Sequence, residues 1–261
     1  IVKVDAQGNK LWDKTYGSDK DDRLMSVAST NDGGHLLVGF SDSVLGWEKS
    51  QTARGQRDMW IVRIDSNGTK LWDKTFGGGA NDQCNDVVQT TDGGYLLAGY
   101  SDSGISGDKT DGNRGEHDYW VVKIDQNGTK RWDKVYGGIG THAFSSILPT
   151  KDGSFLLGGR SDSNVSSEKT ENSRGSFDYW VVKIDANGTK LWDKTFGGEE
   201  NEALGSDMVT AAGGGYMLAG SSDSGINGDR TENNRGMKDL WVVLLQKNGI
   251  RRRFPFSEIL G

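Results

Sequence analysis

The sequence predicts an all-β chain, a β-propeller of four-stranded antiparallel blades, and three observations carry that expectation. Trp12, Trp72, Trp132 and Trp192 stand 60 residues apart, as do Trp60, Trp120 and Trp180, while Trp241 falls 61 after Trp180, so the chain is a tandem repeat. Within one period four short apolar runs are separated by turn residues, and no segment carries a 3.6-residue apolar period. A four-stranded sheet that is apolar on both faces cannot bury them alone, whereas a neighbour on each side covers both, and four strands in a repeat of about 40–60 residues is the pattern of a blade. Stacking as a solenoid is the alternative.

In the second period the first run surrounds Asp86 to Thr90, the second covers Tyr95 to Ser101, the third Tyr119 to Asp125 and the fourth Lys130 to Tyr136. Thr91-Asp92-Gly93-Gly94 and Asp125-Gln126-Asn127-Gly128 supply the tight turns, because Gly reaches positive φ without steric cost and Asp bonds its own backbone. Only the link from Asp102 to Asp118 is long. The hairpin from Trp180 to Gly198 recurs at Trp60, at Trp120 and, without its leading Trp, at Ile1; a decayed copy starts at Trp241. The extra residue of the last period fits the turn from Ala211 to Gly215. Trp12, Trp60, Trp72, Trp120, Trp132, Trp180, Trp192 and Trp241 are expected as packing groups. Each can bury about 150–250 Å², which is roughly 4–6 kcal/mol gross before chain entropy is subtracted.

A net charge of -6 without a basic stripe argues against a nucleic-acid or anionic-membrane binder. No apolar stretch approaches the roughly 18 residues of a membrane span. The single cysteine, Cys84, excludes an intramolecular disulfide and reads as a small buried filler. The chain opens on Ile1 in mid-pattern, which leads to the expectation of a mature product or a piece of a larger chain, with any targeting segment removed.

The run from Val181 to Trp192, an apolar strand followed by Asp, a Gly turn and a Trp-bearing strand, resembles the propeller repeat of quinoprotein-type folds. The repeated Trp-Asp-Lys-Thr-Phe-Gly-Gly, Asp-Gly-Gly-Tyr-Leu-Leu-Ala-Gly, Ser-Asp-Ser-Gly-Ile-Ser-Gly-Asp-Lys-Thr and Asp-Tyr-Trp-Val-Val-Lys-Ile-Asp segments are more closely similar to tandem repeats of secreted surface proteins of Gram-negative bacteria. Those proteins often end in a sorting domain for type IX secretion. The resemblance implies a secreted or cell-surface location and is tied to no one activity; the chain shows no sorting domain. In the quinoprotein phase, blades would span 24–76, 84–136, 144–196 and 205–256 of a single 1–261 domain, with 1–17 a half-blade. Arg253 sits where Trp192 sits, and Phe254-Pro255-Phe256 replaces Asp-Lys-Thr, so the last outer strand is degraded. Five blade positions, one incomplete, are expected, with four as the alternative.

The long loop is the richest candidate site, since loops of this length are often functional. Every copy carries Ser-Asp-Ser, an acidic-basic pair, Arg-Gly and then Asp. The series are Asp42, Asp102, Asp162 and Asp223; Arg54, Arg114, Arg174 and Arg235; and Asp58, Asp118, Asp178 and Asp239. The structural reading has each Arg forming bidentate bonds to the flanking carboxylates and pinning the loop. The functional reading is a repeated rim site for calcium or a glycan, to which Asp108 and Asp229 would add ligands; Glu48 and Glu168, lacking the preceding Gly, make the loops inequivalent. Trp47 replaces the Ser or Gly of the other copies. It reads as a hydrophobic plug, or as a residue that stacks on a sugar or anchors a protein.

Other motifs point to structure. The Asp-x-Asn-Gly turns lack the further carboxylates and terminal Glu of a calcium loop. Thr90-x-Asp92-x-Gly94 resembles half of the sialidase Asp-box but has Leu97 in place of the aromatic residue. His35, His117 and His142 occupy unrelated repeat positions, which speaks against a shared metal or catalytic role. These features favour a non-enzymatic binding or display scaffold for a glycan or protein, without a cofactor unless calcium binds. A sialidase-like hydrolase or quinone-linked enzyme, and a passive spacer, are the alternatives.

Overall fold

In the computed structural model, residues 1–211 and 214–251 are described, and every regular element among them is a β-strand. β1 (Val2–Val4) and β2 (Lys10–Asp13) form a two-stranded sheet. Next comes the sheet β3 (Asp22–Ser29), β4 (His35–Ser41), β5 (Asp58–Ile64) and β6 (Lys70–Phe76). The following sheet holds β7 (Asp82–Gln89), β8 (Tyr95–Ser101), β9 (Asp118–Ile124) and β10 (Lys130–Tyr136). A third four-stranded sheet is made of β11 (His142–Pro149), β12 (Phe155–Ser161), β13 (Asp178–Ile184) and β14 (Lys190–Phe196). β15 (Glu202–Thr210), β16 (Tyr216–Ser222) and β17 (Asp239–Leu245) form the last, three-stranded among the described residues. Each sheet is an antiparallel meander in sequence order, the blade of a propeller-type fold. No helix of the described residues is long and apolar enough to cross a membrane.

The hairpin expected at the N-terminus is present as β1–β2. The expected outer strand of the last repeat, with Arg253 and Phe254 to Phe256, lies outside the described residues. Up to that point Leu245 bridges Arg251, and Arg251 occupies the repeat position of Lys190.

The first strand of each blade starts earlier than the apolar pattern suggests: β7 begins at Asp82, four residues before Asp86. A β-bulge between Cys84 and Asp86 breaks the alternation and hides the strand's first half. Opposite the bulge stands Gly99, where an added Cβ would lie 1.8 Å from the Gln83 carbonyl oxygen. The recurrent Ala-Gly pair of the second strand is thereby explained: no side chain fits where the bulged backbone approaches.

The chain divides into two compact units: Ile1–Asn113 with Tyr119–Val135, and Arg114–Asp118 with Tyr136–Gly261. In the first, β7 packs across β3, β4 and β5. Its core joins Leu36, Val38, Met59 and Ile61 to Cys84, Val87, Leu97, Trp120 and Val122. A second cluster seats Trp12 and Tyr16 of the N-terminal hairpin on Leu37, Trp60 and Val62. In the other unit, β15 packs across β11, β12 and β13, with Tyr179, Val181, Leu204, Met208, Leu218 and Trp241 at the centre. Strands apolar on both faces, such as Asp118–Ile124 and Asp178–Ile184, are buried along their whole length.

Candidate functional site

The long loop between second and third strands is anchored by one carboxylate per blade, the Asp of Trp-Asp-Lys. Asp73, Asp133 and Asp193 each accept an N–H from the indole of Trp60, Trp120 or Trp180 at 3.1 Å. Each also accepts the loop backbone N–H of Ser50, Thr110 or Thr170 at 2.8–2.9 Å, and each pairs with Lys70, Lys130 or Lys190 at 2.7–2.9 Å. Burial alone would raise these acids, but the surrounding donors outweigh it and hold all three below the ordinary carboxylate value. The basic member of the acidic-basic pair is buried inside the loop: Lys49 and Lys109 donate to the Ser43 and Ser103 carbonyls at 2.7 and 2.8 Å, and Arg230 reaches the Ser224 carbonyl at 3.2 Å. Burial lowers Lys169 to about 8.

The arginines act differently from expectation. At Asp58 and Asp178 the expected bidentate bonds from the Arg-Gly arginines are not made, since Oδ1 of each meets no hydrogen-bond donor. Instead, Asp58, Asp118, Asp178 and Asp239 accept the backbone N–H of Arg54, Arg114, Arg174 and Arg235 at 2.5–2.7 Å. The guanidinium groups cross to the acid of the next loop: Arg54 to Asp108 at 2.8 Å, Arg114 to Glu168 at 3.0 Å and Arg174 to Asp229 at 3.3 Å. The reason is burial: Asp58, Asp118 and Asp178 are sealed beneath the loop, whereas the long Arg side chains run along the part-exposed rim. Asp108 and Asp229, expected as ligand-binding groups, thus serve as clamp acceptors and also take the Gly77 and Gly197 N–H groups.

The middle acids of Ser-Asp-Ser also meet protein. Asp42 receives Arg57 at 2.8 and 3.2 Å, Asp102 the Asn81 amide at 3.1 Å and Asp162 the Thr141 N–H at 2.7 Å, while Asp223 lies 3.7 Å from Lys238. Among the described residues no group of three or more His, Cys, Asp or Glu is placed to hold a metal ion. The Asp-x-Asn-Gly turns close on themselves, with Asp65 accepting the Asn67 and Thr69 N–H groups at 2.8 Å. The Thr90–Asp92 turn is tied to β9 by Lys123, 2.8 Å from Asp92.

Trp47 is not a plug: it is 89% exposed. Its φ of 48° puts a bulky side chain in the left-handed region, the conformation that Gly107, Ser167 and Gly228 adopt at the same loop position. The loop's turn geometry demands that backbone whichever residue occupies it, so the indole is directed outward.

A row of buried titratable groups escaped the sequence reading. Asp58 influences Asp82 at the start of β7, Asp118 lies 3.2 Å from His142 at the start of β11, and Asp178 lies beside Glu202 at the start of β15. All six side chains are fully buried. Burial first, then the neighbouring acid, pushes Asp58 and Asp178 up to about 6, and burial raises Asp82. Oδ1 of Asp58, Asp82 and Asp178 meets no hydrogen-bond donor, and a buried carboxyl without a donor favours its protonated form. Gly77 and Gly197 lie against these groups; a Cβ on either would fall 1.7 Å from Asp58 or Asp178 Oδ1. The signal was in the sequence: Asp82, His142 and Glu202 share one repeat position, but their varied identities concealed it. Cys84 is a free, fully buried thiol whose pKa burial drives upward.

No family model matches the chain. It is similar to the regulatory protein FlaEY of Caulobacter vibrioides, at 23% identity over 231 residues; these cover 84% of the chain and 24% of that protein, so the chain spans about a quarter of its length. Among solved structures it is similar to a protein of unknown function from Bacteroides caccae, at TM-score 0.48 and 15% identity, covering 98% of this chain and 68% of that one. Hydrazine synthase of Kuenenia stuttgartiensis gives TM-score 0.43 at 11% identity, over 93% and 68% of the two chains. These likenesses transfer no activity.

Proposed function

We propose that the chain is a non-enzymatic binding or display scaffold of a secreted or cell-surface bacterial protein, whose long loops meet a glycan or a protein partner. Trp47 carries this reading. Left-handed backbone costs a bulky residue roughly 1–2 kcal/mol, and an indole left in water contributes nothing to the fold. Gly takes this conformation without strain in two sister loops, whereas here the bulkiest side chain of the four is carried on it. Leu45 and Val44, exposed on the same loop, widen the apolar tip. The sealed carboxyl pairs favour the non-enzymatic reading, since groups without solvent access cannot touch a substrate. The resemblance of the repeated segments to those of secreted surface proteins supports the location. Asp108 and Asp229 are engaged by guanidinium groups, which supports a scaffold that needs no calcium.

The test is an oligosaccharide array and a displayed random-peptide library, each probed with the chain and with Trp47→Gly. Recognition lost with the indole supports the proposal. Equal recognition by both proteins, or turnover of a generic ester or glycoside that one substitution abolishes, overturns it.

A further inference from the structure

The first unit holds a cavity of about 410 Å³ whose lining includes Asp32, Arg63, Trp72, Gln89, Gln126 and Asn127. It is opened by the first-to-second-strand turns at Asp32 and Gly93 and by the third-to-fourth-strand turn at Gln126. Part of its wall is repeat framework: Asp32, Trp72, Gly93 and Asn127 recur as Asp92, Trp132, Gly153 and Asn187. The rest departs from the repeat. Arg63 stands where the sister repeats carry Lys123 and Lys183; Gln89 where they carry Pro149 and Val209; Gln126 where they carry Ala186 and Lys247. In a chain of near-copies, departures that converge on one cavity mark chemistry that the framework does not need.

The lining selects a ligand class. Its only charged members, Arg63 and Asp32, neutralise each other: one guanidinium nitrogen of Arg63 donates to both Asp32 oxygens at 2.5 and 2.6 Å, so no net charge is offered to an ion. Gln89, Gln126, Asn31 and Asn127 bring amides, which both donate and accept, as a hydroxyl group does. Trp72, half-buried, adds an apolar surface at one wall. The volume lies within the range of small-molecule sites. We infer that this cavity is a binding site for a neutral saccharide, its hydroxyls met by the amides and the Arg63–Asp32 pair and its C–H face by Trp72. The site is separate from the Trp47 loop and does not rest on it.

The repeat supplies the controls. Arg63→Lys and Gln126→Ala install residues that sister repeats already fold with, so both variants keep the framework. The full chain is titrated calorimetrically with neutral mono- and disaccharides of glucose, galactose, mannose and N-acetylglucosamine. Saturable binding is expected, weakened about tenfold or more in each variant with Tm unchanged, and unaltered in Trp47→Gly. The inference is overturned if none of these sugars binds, if both variants bind as the parent does, if an acidic sugar binds better than its neutral counterpart, or if Trp47→Gly abolishes binding. Loss of array recognition in Trp47→Gly with saccharide titration intact would leave this site standing beside the loop, so the two proposals fail separately.

Discussion

At Asp133 one carboxylate receives the Trp120 indole, the Thr110 backbone and hydroxyl, and Lys130. Replacing it with Ala strands several buried donors at once, and Asp133→Ala is expected to lose about 3 kcal/mol or more in a denaturant titration. Trp47→Gly should instead leave stability unchanged or raise it by up to about 1 kcal/mol, because relief of left-handed strain outweighs the added freedom of the unfolded chain; a clear loss would show the indole packing in solution. The recurring Trp residues were legible as packing groups because spacing alone displays them. Their acceptor was not: Asp133 lies 13 residues from Trp120 and 23 from Thr110, and only folding brings the three together. Trp47 was legible as an anomaly, yet its exposure depends on a backbone angle that no composition rule supplies.

Strands and tight turns were readable because alternation and Asp-x-Asn-Gly chemistry are local. The bulge was not, since it interrupts the alternation by which strands are recognised. Gly99 therefore carries an expectation of its own: Gly99→Ala forces the Gln83 backbone to move, and a loss above about 3 kcal/mol, or failure to fold, should follow in thermal melts. The rim clamps are weaker. Arg54 and Asp108 are each about a quarter exposed, so a double-mutant cycle on Arg54→Ala and Asp108→Ala should return about 0.5–1 kcal/mol that fades with added salt. Their partnership is not legible in one repeat, because the guanidinium spans to the acid of the next.

For the molecule as a whole the buried carboxyl pairs set the pH dependence. Asp58 and Asp178 titrate near 6 when folded, above the ordinary carboxylate range, so the stabilisation of their protonated form is complete below about pH 4 and lost as pH rises through 6. Asp32 and Asp92 have the opposite sign. The Thr30 hydroxyl and Gly34 N–H hold Asp32, and Lys123 and Thr90 hold Asp92 against its partial burial, each near 2; their contribution is present above about pH 4 and lost toward 2. Tm should therefore peak at roughly pH 4–5 and fall toward 7.5, whereas a Tm that climbs steadily over that interval would contradict the upward shift of these acids. Asp82→Asn should flatten the alkaline slope, and a chelator should leave Tm unmoved at any pH. In Asp58, Asp118 and Asp178 the outgoing residue is always the same acid, while the incoming strand brings Asp, His or Glu. One letter per repeat therefore sets the polar partner of each buried acid, so repeats could be duplicated or exchanged with the rest of the joint left as it is.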